Sequence, residues 1–155
     1  MSTILVQMAD RAWTEEALHL ACAMARNNHT NVTLLRMIEA QHYSWLGTTL
    51  GFENFSADES DALWDYKTIA EKYDVELEVQ PMQWISYVGA IIDASDQLEA
   101  GAVFACPPHH VLSFMRRFEI WDLRRQLEER NRKLYLLDQP VQSMILAMQV
   151  GAVGD

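Results

Sequence analysis

Three groups of residues in this sequence are of types that could do chemistry: the adjacent pair His109–His110, the carboxylate Asp10, and a basic run from Arg116 to Lys133. Two imidazoles could hold a metal or a ligand. Adjacent side chains on an extended segment point apart, however, and no Cys–His spacing motif lies nearby, so the pair reads as solvated or helix-capping and no metal is expected. Asp10 could act as a general base, but a carboxylate just after an apolar run more often caps the next helix. Arg116, Arg117, Arg124, Arg125, Arg130, Arg132 and Lys133 share their stretch with Glu119, Asp122, Glu128 and Glu129. An anion patch is one reading. A solvated helix face with pairs such as Glu128–Arg132 is the favoured one. No Gly-x-Ser-x-Gly, His-Glu-x-x-His or Gly-Lys-Thr motif is present, and Ser113 near His110 is a chance spacing. The expectation is a non-enzyme with no cofactor.

The elements that must position these residues alternate. Thr3 to Met8 reads as a short buried strand, Asp10 to Trp13 as a turn, and Thr14 as the cap of a helix carrying Ala17, Leu18, Ala21, Cys22 and Ala25 on one face. Asn27-Asn28 can end it in the left-handed conformation. Val32 to Ile38 is apolar on both faces, as in a strand covered by helices on both sides. Residues 39 to 55, with Trp45, Gly47, Gly51 and Phe52, read as a surface loop or lid in which Trp45 could anchor a partner. Ser56-Ala-Asp-Glu59 is a capping box opening a helix with Leu63, Tyr66, Ala70 and Tyr73 on its apolar face. Val75 to Val79 alternates, and Pro81 beyond it suits a sheet edge. A helix then carries Val88, Ile91, Ile92, Ser95 and Leu98, ended by Gly101. Ala102 to Cys106 is a wholly apolar central strand stopped by Pro107-Pro108, residues 111 to 130 are helical with a possible break near Phe118, and Leu134 to Leu137 is the last strand. Alternating strands and helices imply right-handed crossovers and an α/β fold with a parallel sheet.

Composition narrows the partners. The 155 residues fit one domain, with half the residues hydrophobic and 22% charged. A net charge of −10 opposes nucleic acid and anionic membranes. Cys22 and Cys106 read as small buried hydrophobes and imply a reducing cytoplasm. Neither Ile4–Met8 nor the apolar tail around Met144–Met148 is long enough to span a membrane.

Ile4-Leu-Val, Glu15-Glu-Ala-Leu18 and Asn31-Val-Thr-Leu-Leu35, with the order and length of elements from Ile4 to Leu137, resemble the universal stress protein (UspA-like) family. The resemblance implies a three-layer α/β sandwich around a five-stranded parallel sheet of order 3-2-1-4-5, and dimers formed through the last strand. ATP-binding members carry an aspartate at the end of the first strand and Gly-x2-Gly-x9-Gly-Ser/Thr after the fourth. Here Ala9 falls at the aspartate position, with Asp10 one residue late. Pro107, His110 and Ile120 fall at the three glycines, and Trp121 at the Ser/Thr. No glycine lies between Gly101 and Gly151. A phosphate cradle needs backbone N–H groups aimed at the anion, often from positive φ. Proline donates no N–H, and isoleucine avoids positive φ. Phe118 and Trp121 could fill the nucleotide's space, or pack in the core as Trp13, Trp64 and Trp84 would.

The whole chain, 1–155, therefore reads as a single universal-stress-like domain with an apolar tail at 139–155. Its expected role is that of a degenerate, non-catalytic binding or regulatory module in stress response that does not bind ATP. It would act in the cytoplasm as a homodimer or through another protein. Two alternatives stay open: a small-molecule or nucleotide sensor using a pocket at Met8, Ala9, Asp10, Met37, Pro107 and His110, and a cytoplasmic regulatory domain associated with a membrane transporter. The tail, with its apolar stretch at Val141–Val150, either pairs between chains or packs on its own domain.

Overall fold

The computed structural model describes residues 2–39, 56–109 and 112–137. The loop expected at 39–55, His110 and the 139–155 tail thus lie essentially outside the described residues. The chain order is β1 (Ile4–Gln7), α1 (Arg11–Asn28), β2 (Val32–Glu39), α2 (Ala57–Lys72), β3 (Leu77–Trp84), α3 (Tyr87–Gln97), β4 (Ala102–Phe104), α4 (Ser113–Glu129) and β5 (Lys133–Tyr135). The strands form one sheet of order β3-β2-β1-β4-β5, and every neighbouring pair is parallel. This is the α/β order that the resemblance implies.

The apolar strands make the sheet's centre because both of their faces are covered. Ile4, Val6, Val32, Leu34 and Phe104 point to one side, where they pack with Ala17, Leu18, Ala21 and Tyr66 from α1 and α2. Leu5, Leu35 and Val103 point to the other, against Val88, Ile91, Leu123 and Leu127 from α3 and α4. Adjacent residues on a strand face opposite ways, so consecutive leucines such as Leu34-Leu35 serve two separate cores.

Local expectations shift by a residue or more in several places. Asp10, not Thr14, caps α1: its carboxylate accepts from the Trp13 N–H at 2.9 Å. Thr14 is buried and its hydroxyl accepts from the Ala9 N–H at 2.9 Å. The left-handed residue ending α1 is His29, with φ 52°, rather than Asn27 or Asn28. Glu99, with φ 51°, makes the turn after α3 that Gly101 was expected to make. Pro81 lies inside β3, paired opposite Arg36, rather than beyond it. An edge strand needs N–H groups only on its inner side, so a proline is accommodated there. α4 runs unbroken through Phe118. Ser56 caps α2 as expected, accepting from the Glu59 N–H at 3.2 Å, while the Glu59 carboxylate pairs with Arg36 at 2.8 Å.

Candidate functional site

In an open parallel sheet, ligands favour the crevice outside the carboxyl ends of the strands where the chain reverses its winding direction. Here that point lies between β1, whose chain winds towards β2, and β4 on its other side. The end of β1 supplies Gln7 to Asp10, the end of β2 supplies Met37, and the segment after β4 supplies Cys106 to His109.

The residue that dominates this crevice is Gln7. It is a polar side chain closing an otherwise apolar strand, and it is buried. Its Nε2 donates to the Cys106 carbonyl at 3.1 Å. Its Oε1 accepts from the Cys106 N–H at 2.8 Å and from the Tyr87 hydroxyl. The amide therefore continues the β1–β4 pairing by side chain, from one residue past Val6 to two residues past its partner Phe104. Tyr87 comes from the start of α3 and meets Trp84 edge to face, with ring centroids 6.0 Å apart. A buried polar group must find partners, so a glutamine in an apolar strand was the available signal; the expected pocket residues did not include it.

Of those residues, Met8 donates its N–H to the Leu35 carbonyl at 2.8 Å and packs half-buried on the α1/α2 side of the sheet. Met37 packs on the opposite side. Ala9 and Asp10 are tied into the start of α1 by the bonds already described. Pro107 is buried. Met8, Ala9, Asp10, Met37 and Pro107 thus share one end of the sheet, but Met8 and Met37 face opposite layers. His110 lies outside the described residues, and His109 is exposed.

The chemistry of this arrangement is set by donors. The Cys106 N–H is held by Gln7, while Pro107 and Pro108 have none. Three consecutive residues at the mouth of β4 therefore offer no free backbone N–H to an anion. Among the described residues, no group of His, Cys, Asp and Glu could hold a metal ion. Cys22 is buried and burial pushes its thiol up to about 11, so it stays protonated and inert. Cys22 and Cys106 are not joined in a disulfide, and Cys106 is half-buried.

Three members of the basic run are tied into ion pairs, while Arg117, Arg124 and Lys133 stand exposed. Arg125 pairs with Asp122 at 2.9 Å and Glu129 at 3.2 Å, and with Gln126 it holds the Asp122 carboxyl below the usual carboxylate range. Arg130 and Arg132 both reach Asp96 of α3, at 3.2 and 2.7 Å, and Arg132 also donates to the Ala100 carbonyl at 2.7 Å. Arg132 thus fastens β5 to α3 instead of making the expected pair with Glu128.

The aromatic residues depart furthest from expectation. Phe118 and Trp121 fill neither a nucleotide space nor the core; they are 63% and 58% exposed on the outer face of α4. Phe114 beside them is 65% exposed. Phe114 and Phe118, together with Trp84, Ile85 and Met115, border an open groove of about 650 Å³ between the start of α3 and α4. Trp13, in contrast, is half-buried and donates its indole N–H to the Leu136 carbonyl at 3.2 Å. Trp64 stands exposed on α2. A more polar hollow of about 410 Å³, bordered by Ser2, Asn28, His29 and Lys133, lies at the amino ends of the strands, away from the crevice.

The sheet order, its parallel pairing and its four flanking helices define the universal stress protein fold. A universal stress protein in complex with cAMP superposes with a TM-score of 0.59 at 11% identity, covering 87% of this chain and 95% of that one. A universal stress protein from Archaeoglobus fulgidus gives 0.57 at 17% identity, covering 88% and 93%. The Archaeoglobus fulgidus protein in complex with dAMP gives 0.51 at 16% identity, covering 88% and 96%. No protein-family model matches the sequence, and no curated protein matches it. Among the described residues, no helix is long and apolar enough to cross a membrane.

Proposed function

We propose that the chain is a non-catalytic binding or regulatory module built on the universal stress protein fold, one that does not seat ATP and acts through contacts with protein, a second copy included. The observation that carries this reading is the closed crevice. Gln7 occupies the Cys106 N–H, two prolines follow, and no glycine lies between Gly101 and Gly151. A triphosphate must be held by several N–H donors brought close to its oxygens, and each bulky or N–H-less residue removes one. The non-catalytic part of the reading starts from the sequence, in which no nucleophile motif is recognisable. Two cysteines outside any disulfide suit the cytoplasm.

A thermal-shift titration tests this. A ligand at 100 times its Kd adds about 2.7 kcal/mol, which moves the melting point of a domain this size by roughly 5–10 °C. Mg-ATP at millimolar concentration is expected to leave the midpoint unchanged within a degree or so. A rise of several degrees sinks the reading. A second reading, a sensor of nucleoside monophosphates, draws on the cAMP and dAMP complexes of the similar structures. It makes fewer demands on phosphate donors, and cAMP and AMP belong in the same titration.

A further inference from the structure

α4 keeps Leu123 and Leu127 buried, yet Phe114, Phe118 and Trp121 stand on its exposed side, with Met115 and Ile85 exposed beside them. The Phe118 and Trp121 rings lie 5.8 Å apart, and the Arg125 guanidinium covers Trp121 at 5.3 Å from the ring centre. Aromatic side chains carry about 150–250 Å² each, so the three rings alone leave on the order of 300–400 Å² bare, as much as the whole largest patch of many monomers. The groove that Phe114 and Phe118 border is also lined by Trp84, Val88 and Pro108, and by the carboxylates of Glu119 and Asp122.

The chain itself carries a segment of matching pattern. Residues 138–155 continue from Leu137, and none between Asp138 and Asp155 is charged. Within them Val141, Met144, Ile145 and Met148 recur at i, i+3, i+4 and i+7, the spacing of one apolar helix face, with Gln142, Ser143 and Gln149 off that face. Pro140 stands where the first position of a helix accepts proline, and Gly151 where a helix ends. The spacing therefore predicts an amphipathic helix over 140–150. On α4, Phe114, Phe118 and Trp121 sit at i, i+4 and i+7. Each stripe advances seven residues, or about 10 Å at the helical rise. Methionine side chains bend to fit and favour ring edges, so Met144 and Met148 suit a surface of three aromatic rings. An uncharged segment also adds no carboxylate beside Glu119 and Asp122.

The two stripes start at the same end of the molecule. All neighbouring strands are parallel, so the chain leaves β5 at the end of the sheet where α3 and α4 begin. Leu137, with φ 51°, turns the chain there. Residues 138–140, extended, reach about 10 Å, the spacing of one packed layer. A helix starting from that point runs the same way as α4, stripe against stripe.

We propose that residues 140–150 form a helix that docks on α4 of their own chain, laying Val141, Met144, Ile145 and Met148 over Phe114, Phe118 and Trp121 and covering the groove beside α3. This goes beyond the reading of the crevice and stands apart from it, because Mg-ATP binding or its absence leaves the outer face of α4 unchanged.

Hydrogen–deuterium exchange of the full chain at about 1 and 50 µM tests the docking. Amides of 142–150 are expected to exchange at least about tenfold slower than in an unfolded chain, equally at both concentrations. Phe118→Ala/Trp121→Ala and, from the other side of the contact, Ile145→Glu/Met148→Glu are each expected to return those amides to within about twofold of the unfolded rate. Amides of β1 and β4 are the internal control for the fold. They should stay protected in both variants, since Phe118 and Trp121 are exposed and Ile145 and Met148 follow the last strand. Should one variant lose that protection, the other decides. Free exchange of 142–150 in the wild type overturns the proposal and leaves the face to another protein. Protection indifferent to Phe118→Ala/Trp121→Ala overturns it as well, because the segment then sits elsewhere. Protection that appears only at the higher concentration overturns docking within one chain and assigns the face to a second copy.

Discussion

A single amide bridges β1, the start of α3 and the segment after β4 at the carboxyl end of the sheet. Between parallel strands, the gap at the winding reversal is open because the two flanking connections leave in opposite directions. Gln7 closes it by taking both backbone groups of Cys106 and the Tyr87 hydroxyl. A neutral hydrogen bond contributes about 0.5–1.5 kcal/mol net, and more when its loss strands a buried group. Gln7→Leu, which keeps similar bulk but withdraws all three bonds, is expected to lower stability by about 2–4 kcal/mol in urea unfolding, with the slope unchanged. A loss below about 0.5 kcal/mol, the range of ordinary surface changes, would show that the amide is not a brace. Pro107 and Pro108 act beside it through what they lack, since neither can donate to a bound anion.

At the scale of elements, helix ends are set by polar side chains placed one turn ahead of an apolar stripe. Asp10, Ser56 and Ser86 each accept from a backbone N–H three residues on, starting α1, α2 and α3. α4 has no such side-chain cap, and its first turn is solvent-exposed Ser113, Phe114 and Met115. Because the Asp10 carboxylate caps α1, Asp10→Asn should retain nearly full stability, while Asp10→Ala should cost about 1 kcal/mol. Thermal or urea melts of the pair check this; equal losses in both would mean that the charge, not the cap, matters. Strands follow a different logic. β3 tolerates Pro81 because only its inner side is bonded, to β2.

The whole molecule is a sheet with a dry core on each face. Leu34 and Leu35, both completely buried, are neighbours in sequence but belong to different cores. Leu34→Ala and Leu35→Ala are each expected to cost about 2–5 kcal/mol, as for other fully buried leucines. A sheet with one wet face would show the loss in only one of the two, so paired urea melts discriminate. The chain carries a net charge of −10, and among the described residues Phe114, Met115, Phe118 and Trp121 of α4 are exposed hydrophobics.

Strand and helix order was legible in the residues themselves, because hydrophobic period and punctuation are local properties. Apolar residues on both faces of 32–38 and throughout 102–106 suit strands covered on both sides, and the resemblance carried the order 3-2-1-4-5. The lack of glycine after β4 was legible in the same way, since a missing residue type needs no geometry to be seen. Element limits were less so: His29 and Glu99 took the left-handed positions expected of Asn27–Asn28 and Gly101, because several residue types tolerate that conformation once packing demands it. Only the tertiary structure could decide where Gln7 points and which way α4 turns its aromatic side. Both depend on partners 80 to 99 residues away or on another layer of the fold, and such long-range pairing leaves no period in the chain.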